Sequence, residues 1–280
     1  MPKVGGKLFA PPTLVGVNIT TVREALAEFY PSIEYVEETG STNADLIDAA
    51  DPVDRTVLLA GHQSAGRGRK GRSFTAPPGT QLIFSVVYRP AAEVFAGPVS
   101  EVLDRLGLLP LTAGLAFSDV VAGSKLKWPN DVLVRGKKVC GILAEADGLG
   151  EDHPRIVLGC GLNVSIAPED LPVPTATSLA IENDPLAGEG MEAVAVAVLT
   201  ALERRVRQWE SGSPQLLTDY RAASGTIGQA VRVETPSDTI YGVAEGIAED
   251  GELVVVDDQG IHRTLSAGDV IHLRPWRPGQ

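Results

Sequence analysis

Three apolar β-type runs follow one another between Val132 and Val164, and that succession constrains the fold of these 280 residues more than any other feature. They are Val132–Val134, Val139–Ala144 and Ile156–Val164. The first turn falls at Gly136 and the second connection is the glycine-rich, acidic stretch Asp147–His153. Strands joined this closely predict an antiparallel or mixed sheet. Ile33–Glu37, Val57–Ala60 and Leu82–Tyr88 read as further strands.

Helical signals separate these runs. Thr21-Val22-Arg23-Glu24 is a capping-box pattern, and Pro31 is expected to end the helix it opens. Gly40-Ser41-Thr42-Asn43 opens a second helix, with Ala44, Leu46, Ile47 and Ala50 on its apolar side. Leu111–Val121 reads as a helix beginning after Pro110. Ala193–Leu199 alternates like a strand, but Ala195, Val198, Leu202, Val206 and Trp209 recur at helical spacing, so a helix is expected. Pro214–Ala223 reads as the last one. After Gly225 the texture changes to short β-type runs punctuated by Gly242, Gly246, Gly251, Gly260 and Gly268. That pattern predicts a small β-barrel of about 50 residues. The expected division is an N-terminal arm and short helix over 1–30, a main domain over 31–225, and the barrel over 226–280.

Charge narrows the possible partners. The net charge of −12 argues against nucleic acid or an anionic membrane as a ligand of the overall field. No apolar run reaches the roughly 18–20 residues of a membrane span, and the N-terminus does not read as a signal peptide. Cys140 and Cys160 lie in apolar surroundings and read as buried thiols, compatible with a reducing cytoplasm. His62, His153, His262 and His272 are scattered, without zinc spacing.

Against this acidic background, Gly66-Arg67-Gly68-Arg69-Lys70-Gly71-Arg72 packs four cations into seven residues. Its glycines let backbone N–H groups approach a ligand, and its guanidinium forks suit phosphate or carboxylate. Mutual repulsion predicts a loop that orders around an anion. As a bare feature it also fits a solvated surface loop or a nucleic-acid patch. Lys127-Trp128-Pro129-Asn130-Asp131 places an amide and a carboxylate at the mouth of a strand, where an ordinary Asn-Asp turn is the plain alternative. Lys138 begins an apolar strand, and Gly141 leaves room for a ligand against it; a hairpin with solvated lysines is the plain alternative.

Together with Ser41-Thr42-Asn43, Lys138–Leu143 and Gly161-Leu162-Asn163, these runs resemble, in order, the catalytic domain of biotin–protein ligases. The resemblance implies an α+β fold. Its mixed, mainly antiparallel sheet is flanked by helices, as in lipoate ligases and class II aminoacyl-tRNA synthetases, with a small Src-homology-3-like barrel after it. It also implies two substrates, biotin and ATP, with Mg carried mainly by the ATP phosphates. Ser41, Thr42, Asn43, Gln63, Arg67, Gly68, Arg69, Lys138 and Gly141 would bind biotin. Arg67, Arg69, Arg72, Phe74, Lys127, Asn130, Asp131 and Asn163 would bind ATP or the adenylate. Arg69, Lys138 and Asp131 would carry the chemistry. The acceptor implied is the biotin carboxyl carrier domain of acyl-CoA carboxylase, and the chain is expected to be a monomer or weak dimer. About thirty residues precede the main domain, so no operator-binding role is expected. Lipoate ligation and nucleic-acid binding through the basic loop are the alternatives.

Overall fold

A computed structural model describes residues 17–71, 76–90, 99–149, 154–235 and 238–273. Its larger sheet has seven strands in the order β1-β2-β3-β7-β6-β5-β4. These are β1 (Ser32–Thr39), β2 (Thr56–Gln63), β3 (Gln81–Tyr88), β4 (Ser124–Lys127), β5 (Asp131–Val134), β6 (Lys137–Asp147) and β7 (Arg155–Asn163). Only the β1–β2 pair is parallel; the other five pairings are antiparallel. The expectation of a mixed, mainly antiparallel sheet is met. Strand β4, just before Trp128, has no counterpart among the expected elements.

The two-residue period of the strands assigns their faces. On one face Leu82, Phe84 and Val86 of β3 and Ile156, Leu158 and Cys160 of β7 join the main core. That core is closed by α1 (Ile19–Leu26), α3 (Val99–Val120), α4 (Met191–Glu210) and α5 (Gln215–Ala223). The other face carries the short helix α2 (Thr42–Asp48), whose Leu46 packs on Leu58, Val87 and Val157. Beyond α2 that face carries Gly159 and Gly161 beside Ile83, and there the sheet opens into a cleft.

Two helix boundaries differ from expectation. Asn18, not Thr21, caps α1: its side chain accepts the Thr21 N–H, and the helix ends at Leu26, short of Pro31, where Phe29 and Tyr30 N–H turn back onto the Leu26 carbonyl. Pro110 lies inside α3 instead of before it. Leu109 and Leu111 on either side are fully buried, so tertiary packing outweighs the lost backbone bond, and Thr112 Oγ1 donates to the Leu108 carbonyl at 2.9 Å.

The C-terminal unit is a five-stranded antiparallel sheet, β11-β10-β9-β8-β12. Its strands are β8 (Ala230–Glu234), β9 (Thr239–Ile247), β10 (Leu253–Asp257), β11 (His262–Leu265) and β12 (Asp269–His272). Trp128 joins it to the larger sheet. The indole is only 2% exposed, its Nε1–H donates to the Gly251 carbonyl at 2.9 Å, and its backbone N–H donates to Thr226 Oγ1 at 3.1 Å. Arg221 of α5 adds two hydrogen bonds to the Ile247 carbonyl.

Candidate functional site

A cleft of about 1230 Å³ lies against the open face of the larger sheet and is closed at one end by the C-terminal unit. It gathers Ser41, Thr42, Asn43, Gln63, Arg67, Gly68, Arg69, Lys127, Asn130, Asp131, Lys138, Gly141 and Asn163. Arg72 and Phe74 lie outside the described residues.

One end is polar and enclosed. Ser41 caps α2, its hydroxyl facing Ala44 N–H, and so fixes the direction of the next two residues. Thr42 N–H donates to Gln63 Oε1 at 2.7 Å, and Thr42 Oγ1 lies 3.0 Å from the same oxygen and 2.7 Å from Ser85 Oγ. Asn43 lies flat against β7 because Gly159 has no Cβ: one built there would stand 2.1 Å from Asn43 Oδ1. The Asn43 amide reaches Ser85 at 2.6 Å and Glu145 at 2.7 Å. Ser85 belongs to no motif, and Glu145, at the end of the Lys137–Glu145 run, is given no role by it. A serine inside an apolar strand and a glutamate on the far half of another carry no local mark of their partners.

The other end is charged. A two-residue hairpin turn, Arg135-Gly136, has positive φ at both positions and delivers Lys137 and Lys138 directly opposite β5. Lys138 is clamped along its backbone, its N–H to the Thr175 carbonyl and its carbonyl to the Thr177 N–H, both at 2.8 Å. Its ammonium lies 2.5 Å from Asp131 Oδ1, and Lys127 approaches the same carboxylate at 3.7 Å. Asn130 donates to the Ile142 carbonyl at 2.8 Å and accepts from Arg69 Nη1 at 3.3 Å. Arg69 also donates to the Gly268 carbonyl at 3.3 Å, so this cation of the basic loop bridges both units. Arg67 is exposed, at the rim. Asn163 is a buried clip, accepting from Gln81 and donating to the Thr177 carbonyl.

The C-terminal unit contributes residues that no motif marks. Asp269 and His272 of β12 line the cleft, and His272 Nε2 lies 3.2 Å from Thr226 Oγ1, the group that receives the Trp128 N–H. Burial, and then the charge of Lys127, hold the His272 pKa below its ordinary value. Cys140 and Cys160 are buried thiols, pushed up by burial, as expected. Among the described residues no three His, Cys, Asp or Glu side chains come together as metal ligands, and no helix is long and apolar enough to cross a membrane.

Comparison with known proteins fits this geometry. Residues 32–163 match the Biotin/lipoate A/B protein ligase family, and residues 226–273 match the biotin protein ligase C terminal domain. The biotin--[acetyl-CoA-carboxylase] ligase of Mycobacterium tuberculosis is 44% identical over 254 residues, covering 86% of this chain and 89% of that protein. The ligase of the same name from Paracoccus denitrificans is 31% identical, covering 83% of this chain and 97% of that one. Among solved structures, a biotin protein ligase from Aquifex aeolicus in complex with biotin and ATP shares the fold. Its TM-score is 0.69 at 23% identity, over 88% of this chain and 100% of that chain.

Proposed function

We propose a reading of the cleft that proceeds from one premise: the chain belongs to the biotin protein ligase family. The protein is an ATP-dependent ligase that joins biotin to AMP and then passes biotin to a protein lysine. The observation that carries this reading is the pairing, within one cleft, of an enclosed polar end at Thr42 and Gln63 with a cationic end at Lys138, Lys127 and Arg69.

A carboxylate does not acylate amines because its leaving group would be oxide. In the first step a biotin carboxylate oxygen attacks the α-phosphorus of ATP, the bond to the bridging oxygen breaks, and pyrophosphate leaves. The protein holds two anions together and neutralises their crowded charge. Lys138 and Arg69 supply the neutralising cations. Lys138 exchanges Asp131 for the substrate oxygens, and Arg69 turns from Asn130. Arg67 and Gly68 wrap the carboxylate from the loop, with Gly141 leaving the strand bare beside it. Lys127, Asn130, Asp131 and Asn163 face the adenylate. Mg²⁺ carried by the ATP phosphates would supply charge neutralisation there, and Asp131, already between two ammonium groups, is the one carboxylate among these residues that would face it.

In the second step the acceptor lysine nitrogen attacks the acyl carbon, the C–O bond to AMP breaks, and the amine proton passes to Asp131. The acceptor is the biotin carboxyl carrier domain of an acyl-CoA carboxylase, a reading supported by the names of the related ligases. We assign residues 31–225 as the catalytic domain, with the C-terminal strands β8–β12 as the wall at its nucleotide end. The two unpaired thiols support a cytoplasmic location.

Purified chain, biotin, Mg-ATP and a biotin carrier domain test the whole reading by intact mass of the acceptor. The expected result is the mass gain of one biotinyl group, dependent on ATP. Lipoyl gain in place of biotinyl gain refutes it.

A further inference from the structure

Behind Thr42 and Gln63 runs a chain of hydrogen bonds whose proton order is set by its own members. Asn43 Nδ2 donates to the Glu145 carboxylate at 2.7 Å and to the Leu143 carbonyl at 3.3 Å. Both partners only accept, so the amide is oriented with Oδ1 toward Ser85. Ser85 Oγ reaches that oxygen at 2.6 Å. A carbonyl oxygen has no hydrogen, so Ser85 donates. The 2.7 Å contact between the Ser85 and Thr42 hydroxyls must then take its hydrogen from Thr42. Gln63 Oε1 lies farther from that hydroxyl, at 3.0 Å, and is already served by the Thr42 backbone N–H at 2.7 Å. Ser85 is fully buried, so water does not substitute for it.

Two groups consequently face the cleft with defined polarity. Thr42 Oγ1 presents lone pairs. Gln63, with its oxygen committed to Thr42, presents its amide nitrogen, which has no hydrogen-bond partner among the described residues. An acceptor beside a donor is the complement of an –NH–C(=O)– edge, the edge a cyclic urea offers.

We propose that Glu145 and Ser85 are positioning residues for biotin recognition, acting through Asn43 to lock the Thr42 hydroxyl as an acceptor for a ureido N–H. The inference rests on the biotin reading above and extends it to residues that do not touch the substrate.

The test uses the full chain with Ser85→Ala, Glu145→Leu and Glu145→Gln, and follows pyrophosphate release with biotin and with biotin methylated on a ureido nitrogen. Ser85→Ala and Glu145→Leu are expected to raise the biotin KM roughly tenfold, the effect of one hydrogen bond, while the ATP KM stays within about twofold. The preference for biotin over the methylated compound should shrink by the same factor, because the N–H acceptor is what has been lost. Glu145→Gln keeps a carbonyl acceptor for Asn43 and should follow wild type. An unchanged preference in both Ser85→Ala and Glu145→Leu, or Glu145→Gln as impaired as Glu145→Leu, overturns the proposal in favour of a merely structural role. A wild-type chain that releases no pyrophosphate with biotin refutes the biotin reading itself, a result distinct from active variants with unaltered selectivity.

Discussion

Replacing Gly159 with alanine sets two physical effects against each other, and the structure decides the sign. The backbone at Gly159 is ordinary β-strand with no positive φ. From the chain alone, Gly→Ala there should stabilise by about 0.4–1 kcal/mol, because the unfolded state loses freedom. The new Cβ, however, would stand 2.1 Å from Asn43 Oδ1 and 2.8 Å from its Cγ. Strand β7 is paired on both sides, with Ser85 of β3 and Leu143 of β6 opposite Gly159, so the strand holds and Asn43 is displaced. Three hydrogen bonds go with it. The buried Ser85 hydroxyl left without an acceptor costs about 1–3 kcal/mol. The bond to half-exposed Glu145 is partly replaced by water, so we assign about 1 kcal/mol to it. The net expectation is a loss of roughly 1–3.5 kcal/mol after the entropic gain is subtracted. Urea unfolding measures this directly, and calorimetric titration of biotin should show affinity reduced roughly tenfold or more. A variant that is as stable as wild type or more so, with undiminished biotin affinity, would refute the wedging of Asn43 against β7.

Arg69→Ala or Lys138→Ala should slow biotinyl-AMP formation by roughly 10²–10³-fold in single-turnover assays; rates within a few-fold of wild type for both remove them from the chemistry. Arg55→Ala removes one of the two ion pairs of Glu203, which is 2% exposed, and leaves Arg207 at 2.7 Å, so the cost in urea unfolding should fall below the about 3–5 kcal/mol of a buried charge left with no partner. Adding Glu203→Gln should recover part of that loss, and no recovery would mean the buried charge is not the cause. His272 has a folded pKa below its unfolded value of about 6.5, so the unfolded chain binds the proton first. Its contribution is present above about pH 6.5 and lost as pH falls through the lower folded value; His272→Gln should flatten the fall in urea midpoint over that window, and an unaltered pH profile would exclude the effect.

Elements with a strong local pattern are legible in the sequence. The strands from Val132 to Val164 and the amphipathic helix ending near Trp209 need only period and spacing to be placed. Boundaries set by tertiary contacts are not. Pro110 looks like a helix breaker until Leu109 and Leu111 are seen buried beside it, and the short strand β4 declares itself only through pairing with β5. The thirteen cleft residues expected from motif order do come together, because the strand ends that carry them converge. Ser85, Glu145 and His272 are not foreseeable. Each is defined by a partner between 42 and 102 positions away in the chain, and a separation of that length leaves no local trace. Trp128 reads in the sequence as part of a stiffened bend, whereas its ring is the bolt between the two sheets.

Most of the cleft is encoded early: Thr42, Gln63 and Lys138 lie in the first half of the chain, while Asp269 and His272 come some 130 residues after Lys138. On the ribosome the end of the cleft proposed for the vitamin, and Lys138, therefore emerge well before the wall opposite them. A growing polypeptide has the reactive cations in hand but no enclosure for an acyl phosphate until β12 has been translated and zipped onto β8. Competence arrives late and in one step, and a prematurely terminated product is left without the shelter in which a water-sensitive intermediate could accumulate.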